Sequence, residues 1–253
     1  MKKSQLAAQL YTLRDYLTNP ADIADTLNKV RKIGYEVIQV SGMGPIAEEE
    51  LLKIAQGEGL TICATHDSGA KILDETDAII ERLEKLNCKY TAYPYPHVTY
   101  KTYGGYVSFA KKLNVAAEKF AAAGKCLCYH NHAIEFQKFD GVTMLDIIYD
   151  NAPALQAELD TFWVQSGGAN PVDWIKKVKG RSPLLHLKEY AIRGNDRIME
   201  AVGKGNLDWD SIIAAGEDAG VEYFIVEQDD CNGISPFECL KQSYDFITER
   251  YVK

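Results

Sequence analysis

The chain has 253 residues, 46% hydrophobic and 25% charged, a composition that excludes a disordered protein and suits one large domain or two small ones. Twenty-eight basic against 36 acidic residues leave a net charge of −8, and no Lys/Arg cluster offers the electropositive face that nucleic acid requires. At this length roughly three quarters of the unfolded surface can be buried, so a core needs no disulfide staples.

Met1-Lys2-Lys3 imitates the start of a signal segment, but Gln5, Gln9 and Arg14 break the apolar stretch behind it. Short β-type runs then recur at Leu6–Leu10, Tyr35–Val40, Leu60–Thr65, Lys89–Tyr93, Cys126–Tyr129, Leu155–Leu159, Leu184–Leu187 and Tyr223–Val226. Most are continuously apolar, the pattern of strands buried on both faces. Their spacing of roughly 24 to 39 residues is one strand plus one helix. After the first run, Tyr11-Thr12-Leu13-Arg14 stands where a doubly wound nucleotide-binding sheet would carry glycines.

Helix signals fill the gaps. Asn19-Pro20 reads as N-cap and first-turn proline, with Ile23, Leu27 and Val30 on one face and Gly34 as the stop. Asp74 is expected to start a helix with Ile79, Ile80, Leu83 and Leu86 inward, and Tyr103 to Ala123, closed by Gly124, reads as the longest one. Asn170-Pro171 and Asp208-Trp209 open two more. Ser235-Pro236-Phe237-Glu238 reads as a capping box ahead of Leu240, Tyr244 and Ile247. No linker or composition break interrupts the series, so the expected fold is α/β, a single (β/α)8 TIM barrel over residues 1–253.

The six cysteines form no C-x-x-C pair and are expected as reduced thiols. No segment approaches the roughly 18 to 20 apolar residues of a membrane span, and the expected location is cytoplasmic.

Barrel active sites lie at the carboxyl ends of the strands, and polar residues collect there. Gln9 ends the first strand and His66-Asp67 the third. The fifth runs into Tyr129-His130-Asn131-His132 and then Glu135, the sixth into Glu158-Leu159-Asp160, the seventh into His186-Leu187-Lys188, the eighth into Glu227-Gln228-Asp229. An oxygen-rich set with one imidazole suits one divalent ion such as Mn, Co, Mg or Zn, which also explains how several carboxylates can converge without repelling one another. His130 and His132 share a side of the extended chain, and either of them or Glu135 can serve as the fifth strand's ligand. Lys188 points the same way as His186 and can neutralise an enediolate. Trp163 offers a platform for a sugar ring, with Gln9 and His66 as further substrate contacts. Gly203-Lys204-Gly205 is a weak phosphate-type turn that reads more simply as a loop into a helix, and the tyrosine-rich Tyr90–Tyr106 stretch reads as a lid or interaction loop.

On these residues the chain resembles the sugar phosphate isomerase/epimerase superfamily of xylose isomerase-like barrels. It carries the opening Gln9-Leu10-Tyr11-Thr12-Leu13-Arg14, the Tyr129–Phe136 segment, Glu158-Leu159-Asp160 with Trp163, His186-Leu187-Lys188, Gly203–Asp208 and Val226-Glu227-Gln228-Asp229. The resemblance implies one metal held by Glu, Asp, His and Glu at the ends of strands five to eight. Asp160, His186 and Glu227 match the last three. At the first, His130 stands where many relatives have glutamate, with Glu135 five residues later. The implied activity is a metal-dependent isomerase or epimerase, or a dehydratase or lyase, acting on a sugar, keto sugar or cyclitol. A proton beside a carbonyl leaves to Glu227, the enediolate is held by the metal and Lys188, and His130 or His132 returns the proton. The expected partner is a small carbohydrate, with neither nucleic acid nor membrane, and homo-oligomerisation is left open. The alternative is a sugar-binding or partner subunit on the same barrel without turnover.

Overall fold

The computed structural model describes residues 1–97 and 99–253; position 98, inside the Tyr90–Tyr106 stretch, lies outside the described residues. Strands β1 (Leu6–Gln9), β2 (Val37–Val40), β3 (Thr61–His66), β4 (Tyr90–Tyr93), β5 (Cys126–His130), β6 (Gln156–Asp160), β7 (Leu184–Leu187) and β8 (Tyr223–Val226) pair in parallel and close into a barrel. β1 bonds to both β2 and β8, which removes every open edge. Each of the apolar runs read from the sequence is a strand of this barrel.

The helices are α1 (Pro20–Ile33), α2 (Glu48–Gly57), α3 (Gly69–Asp74), α4 (Thr76–Lys85), α5 (Tyr103–Ala122), α6 (Met144–Asn151), α7 (Thr161–Ser166), α8 (Pro171–Lys177), α9 (Trp209–Ala219) and α10 (Pro236–Tyr251). Asn19 caps α1 by accepting from the amides of Ala21 and Asp22, and Asp208 caps α9 by accepting from Ser211. Two expected starts are corrected. Asp74 ends α3 instead of opening a helix; the chain breaks at Glu75 (φ −127°, ψ 38°) and α4 begins at Thr76. Ser235 does precede α10, but its side chain makes no capping bond, and Glu238 instead accepts from Gln242 one turn on. All six cysteines are free thiols, and no described helix is long and apolar enough to cross a membrane.

Two cores result. The larger lies between barrel and helices, while Ala7, Val37, Cys63, Cys128, Leu184 and Ile225 belong to a separate cluster inside the barrel. Because side chains alternate along a strand, the residue two further on shares the inward direction. From Ala7, Val37, Cys128, Leu184 and Ile225 that step gives Gln9, Gln39, His130, His186 and Glu227, all of them buried. Register completes the arrangement, with His130 beside Glu158 and Asp160 beside His186. The apolar plug thus carries a polar layer on its carboxyl-terminal side.

The Gly203-Lys204-Gly205 turn has an internal anion. The buried Glu189 carboxylate accepts from the amides of Gly203 (2.8 Å), Leu207 (3.1 Å) and Tyr190 (3.0 Å) and from Trp209 Nε1 (2.5 Å). A Cβ at position 205 would meet Tyr190 O at 2.5 Å and Glu189 Oε1 at 2.6 Å, so the glycine is needed for close approach. Glu189→Ala leaves four donors without their acceptor and is expected to cost on the order of 3 kcal/mol or more, read from the urea midpoint.

Candidate active site

Glu158 is the hub of the polar layer. It accepts from Gln39 Nε2 at 2.7 Å, lies 2.6 Å from His66 Nε2, and stands 3.3 Å from His130 Nδ1 and 3.4 Å from His186 Nε2. Burial opposes its ionisation, but His186 and His66 beside it hold its carboxyl well below the usual carboxylate range. Gln39 Oε1 lies 2.8 Å from His186 Nε2, so the amide ties Glu158 to His186. The other ring nitrogen, Nδ1, then faces Glu227 Oε2 at 2.9 Å and Asp160 Oδ2 at 3.8 Å.

Above this hub, His130, Asp160, His186 and Glu227 each offer one ligand atom, all within 4.8 Å of one another and all buried. A second set, sharing His130 and His186, is completed by His66 and Glu158. Asp160 Oδ2 and His130 Nδ1 are buried without a hydrogen-bond partner, although Lys188 Nζ is 3.2 Å from the first and Glu158 Oε2 3.3 Å from the second. Two nitrogen and two oxygen donors at this spacing, with one carboxylate oxygen left orphaned, fit a divalent cation of intermediate hardness.

Lys188 is buried and reaches Glu227 Oε2 at 2.8 Å, Asp229 Oδ2 at 2.9 Å and Asp160 Oδ2 at 3.2 Å. Burial alone would lower its pKa; the Asp160, Glu227 and Asp229 carboxylates instead raise it well above the ordinary value. Burial likewise opposes protonation of His186, and Glu158 and Glu227 on either side raise it to about 10, so a cation binding there would displace that proton. Burial and neighbouring His186 push His130 down to about 3, and burial and His130 push His132 down to about 2. Both of these imidazoles are therefore neutral at pH 7, the form that can offer a lone pair.

Of the three candidates for the fifth strand's ligand, His130 lies among the other donors and Glu135 is engaged elsewhere. A short 3-10 turn (Ile134–Phe136) folds it back against β5, where its oxygens accept from Tyr129 Oη at 3.1 Å and from the His132 amide at 2.7 Å. His130 stands with Asp160, His186 and Glu227 in its place. Burial raises the Glu135 carboxyl to about 7, offset in part by those two donors. An acid with a raised folded-state pKa adds stability below its unfolded value near 4.5, and that contribution disappears as pH rises through 7. Glu135→Gln is expected to abolish this dependence. Between pH 5 and pH 8 the unfolding free energy of the parent should fall by on the order of 3 kcal/mol more than that of the variant.

The other expected residues divide. His130, His132, Lys188, Glu227 and His66 line one cavity of about 420 Å³, together with Asp229. His132 packs edge-on to His130 with ring centres 5.0 Å apart, so both imidazoles face the barrel mouth. Trp163, its amide bonded to Asp160 Oδ1, packs tilted against His132 with ring centres 5.1 Å apart, and its ring centre lies 5.5 Å from Lys188 Nζ. Gln9 is fully buried beside Gln39; its Oε1 accepts from the Tyr11 amide and its Nε2 is unpaired. Gln39, Glu158 and Asp229 join the site without having been singled out. The signal for two of them was the two-residue step: Glu158 precedes Asp160 and Asp229 follows Glu227 on the same inward face.

A family model described as the xylose isomerase-like TIM barrel matches residues 27–250. No curated protein matches the chain. Among solved structures, a sugar phosphate isomerase/epimerase from Parabacteroides distasonis superposes with a TM-score of 0.84 at 22% identity, covering 98% of this chain and 95% of that one. An L-ribulose 3-epimerase gives 0.74 at 18% identity, covering 98% and 94%. An IOLI protein with a binding zinc atom gives 0.70 at 16%, covering 97% of each. At these identities the likeness is one of fold.

Proposed function

The chain belongs to the family of xylose isomerase-like TIM barrels, and on that premise we propose that it is a metal-dependent isomerase or epimerase, or a lyase, of sugars, keto sugars or cyclitols. The observation that carries this reading is the convergence of ligand atoms from His130, Asp160, His186 and Glu227 within 4.8 Å, with His130 and Glu227 lining the cavity. These four residues would hold the divalent cation, which supplies Lewis acidity where negative charge develops on a substrate oxygen.

The chain's own groups do the rest. Both contacts of Glu227 use Oε2, which leaves Oε1 to take a proton from the carbon beside a carbonyl. The Lys188 ammonium, fixed by three carboxylates, is placed to stabilise the oxyanion that forms. His132 lines the cavity beside His130 without being one of the four donors, and its neutral imidazole can relay the proton without holding it. Arg14 and Lys188 are the arginine and lysine lining the cavity, and both are engaged: Arg14 gives Nη1 to Tyr11 O and Nη2 to Asp229 O. An unphosphorylated substrate therefore suits the site better than a phosphorylated one.

The test is proton exchange. In deuterated water, Mn-loaded protein is expected to introduce deuterium next to the carbonyl of a keto sugar, and chelation should stop it. Tight sugar binding with no label would overturn the catalytic reading in favour of a binding module. Retained labelling in the chelated protein would overturn the metal dependence.

A further inference from the structure

His130 and His186 each stand between two groups of acids and turn a different ring nitrogen to either side. Toward the proposed metal donors, His130 presents Nε2, 4.0 Å from Asp160 Oδ2, and His186 presents Nδ1, 2.9 Å from Glu227 Oε2 and 3.8 Å from Asp160 Oδ2. Toward the layer beneath, His130 presents Nδ1, 3.3 Å from Glu158 Oε2. His186 presents Nε2 there, 3.4 Å from Glu158 Oε1 and 2.8 Å from Gln39 Oε1. A neutral imidazole that ligates a cation through one nitrogen carries its proton on the other, and the partner of that proton decides which is which.

Donor and acceptor roles beneath the site are fixed by what each group can do. A carboxylate only accepts, so the Gln39 atom 2.7 Å from Glu158 Oε1 is the amide nitrogen Nε2. That leaves Gln39 Oε1, also an acceptor only, for His186 Nε2; the proton of that ring is therefore on Nε2 and the lone pair on Nδ1. His130 Nδ1 is buried with no hydrogen-bond partner and has a carboxylate oxygen at 3.3 Å. A lone pair there would be repelled by that oxygen and a proton attracted, which puts the lone pair of His130 on Nε2. His66 Nε2, 2.6 Å from Glu158 Oε2, adds a further nitrogen around the same carboxylate. The lower group of His66, His130, Glu158 and His186 is thus held together by protons and needs no cation of its own.

We propose that Glu158 and Gln39 are positioning residues that set the tautomers of both histidine ligands, so that one cation is held through His130 Nε2 and His186 Nδ1 and none binds at Glu158. The inference rests on the metal reading proposed above. Neither residue lines the catalytic cavity, so both act through the imidazoles and not on the substrate. A ring in the other tautomer would turn an N–H toward the cation; the amide and carboxylate beneath prevent that and leave the donor set assembled before the ion arrives.

The experiment loads 15N-histidine-labelled protein with zinc and records two-bond 1H–15N spectra, which tell Nδ1 from Nε2 and a metal-bound nitrogen from a protonated one. The parent is expected to hold about one zinc per chain. One ring should be bound through Nδ1 and protonated at Nε2, and a second bound through Nε2 and protonated at Nδ1. Gln39→Met removes the acceptor of the His186 Nε2 proton and should weaken zinc binding at least about tenfold, in a chain shown to be folded by its melting curve. The parent spectrum decides the ligation pattern by itself should that variant not fold. Two rings bound through the same kind of nitrogen, a second zinc per chain, or unchanged affinity in folded Gln39→Met overturns the tautomer assignment alone. A parent that takes up no zinc overturns the metal reading and this inference with it. The expected pattern without deuterium exchange into a keto sugar supports the inference and overturns the catalytic reading.

Discussion

Asp160→Asn is expected to leave the barrel folded, drop bound cation from about one per chain to below a tenth, and reduce turnover on the order of 10³-fold or more, equivalent to ~4 kcal/mol of barrier. The choice of asparagine matters. Asp160 Oδ1 accepts from the Trp163 amide at the start of α7, and asparagine caps a helix about as well as aspartate. What the change removes is the charge on Oδ2, the buried oxygen that has no hydrogen-bond partner. Lys188 keeps Glu227 and Asp229, so no ammonium is stranded. His186→Ala would be a poorer test. It would leave Glu158 and Glu227 facing each other across a void, and breaking a buried ion pair costs about 3 to 5 kcal/mol, enough to confuse lost ligation with lost folding. Cation content by elemental analysis, beside a melting curve, decides it. A folded Asp160→Asn protein with undiminished metal would show that the four donors are not the binding site.

What the sequence made legible, and what it hid, divides along the strand period. Eight buried runs alternating with capped helices sufficed for the barrel, because a strand covered on both faces must be apolar almost throughout and few segments satisfy that. The same alternation placed His186 with Lys188 and His130 with His132. Depth in the barrel was not legible. Whether Glu158 faces the cavity mouth or the layer beneath depends on the stagger between β5, β6 and β7, which register fixes and spacing does not. Gln39 was hidden for the same reason, as a polar residue inside Val37–Val40 whose partner lies across the lumen. The choice among His130, His132 and Glu135 was not legible, because a 3-10 turn reverses the chain just after β5 and turns the Glu135 carboxylate toward Tyr129. The Ser235 capping box failed differently: its residue types fit, but the side chain makes no bond to the helix.

Lys188→Met is expected to move metal affinity the other way, and that opposition is what separates ligation from charge balance. The ammonium lies within 3.2 Å of Asp160 Oδ2 and 2.8 Å of Glu227 Oε2, oxygens that a divalent ion would also use. Two cations sharing such oxygens repel. Even at an effective dielectric constant near 20, a unit charge about 4 Å from a divalent one costs several kcal/mol, so removing it should tighten binding at least tenfold. The metal-free variant pays in stability. Asp160, Glu227 and Asp229 lose their common counter-charge, and a loss of about 3 kcal/mol is expected, recovered on adding Mn because a ligand that binds only the folded state stabilises it. Turnover should nevertheless fall by about 10² or more, since no other lysine or arginine lining the cavity can take over at the oxyanion. The variant's melting temperature should therefore respond more steeply to Mn than the parent's, while isotope exchange slows. Were Lys188→Met to bind metal more weakly than the parent, the ammonium would be holding the ligands in place and the assignment of Lys188 to the reaction, instead of to the site's architecture, would fail.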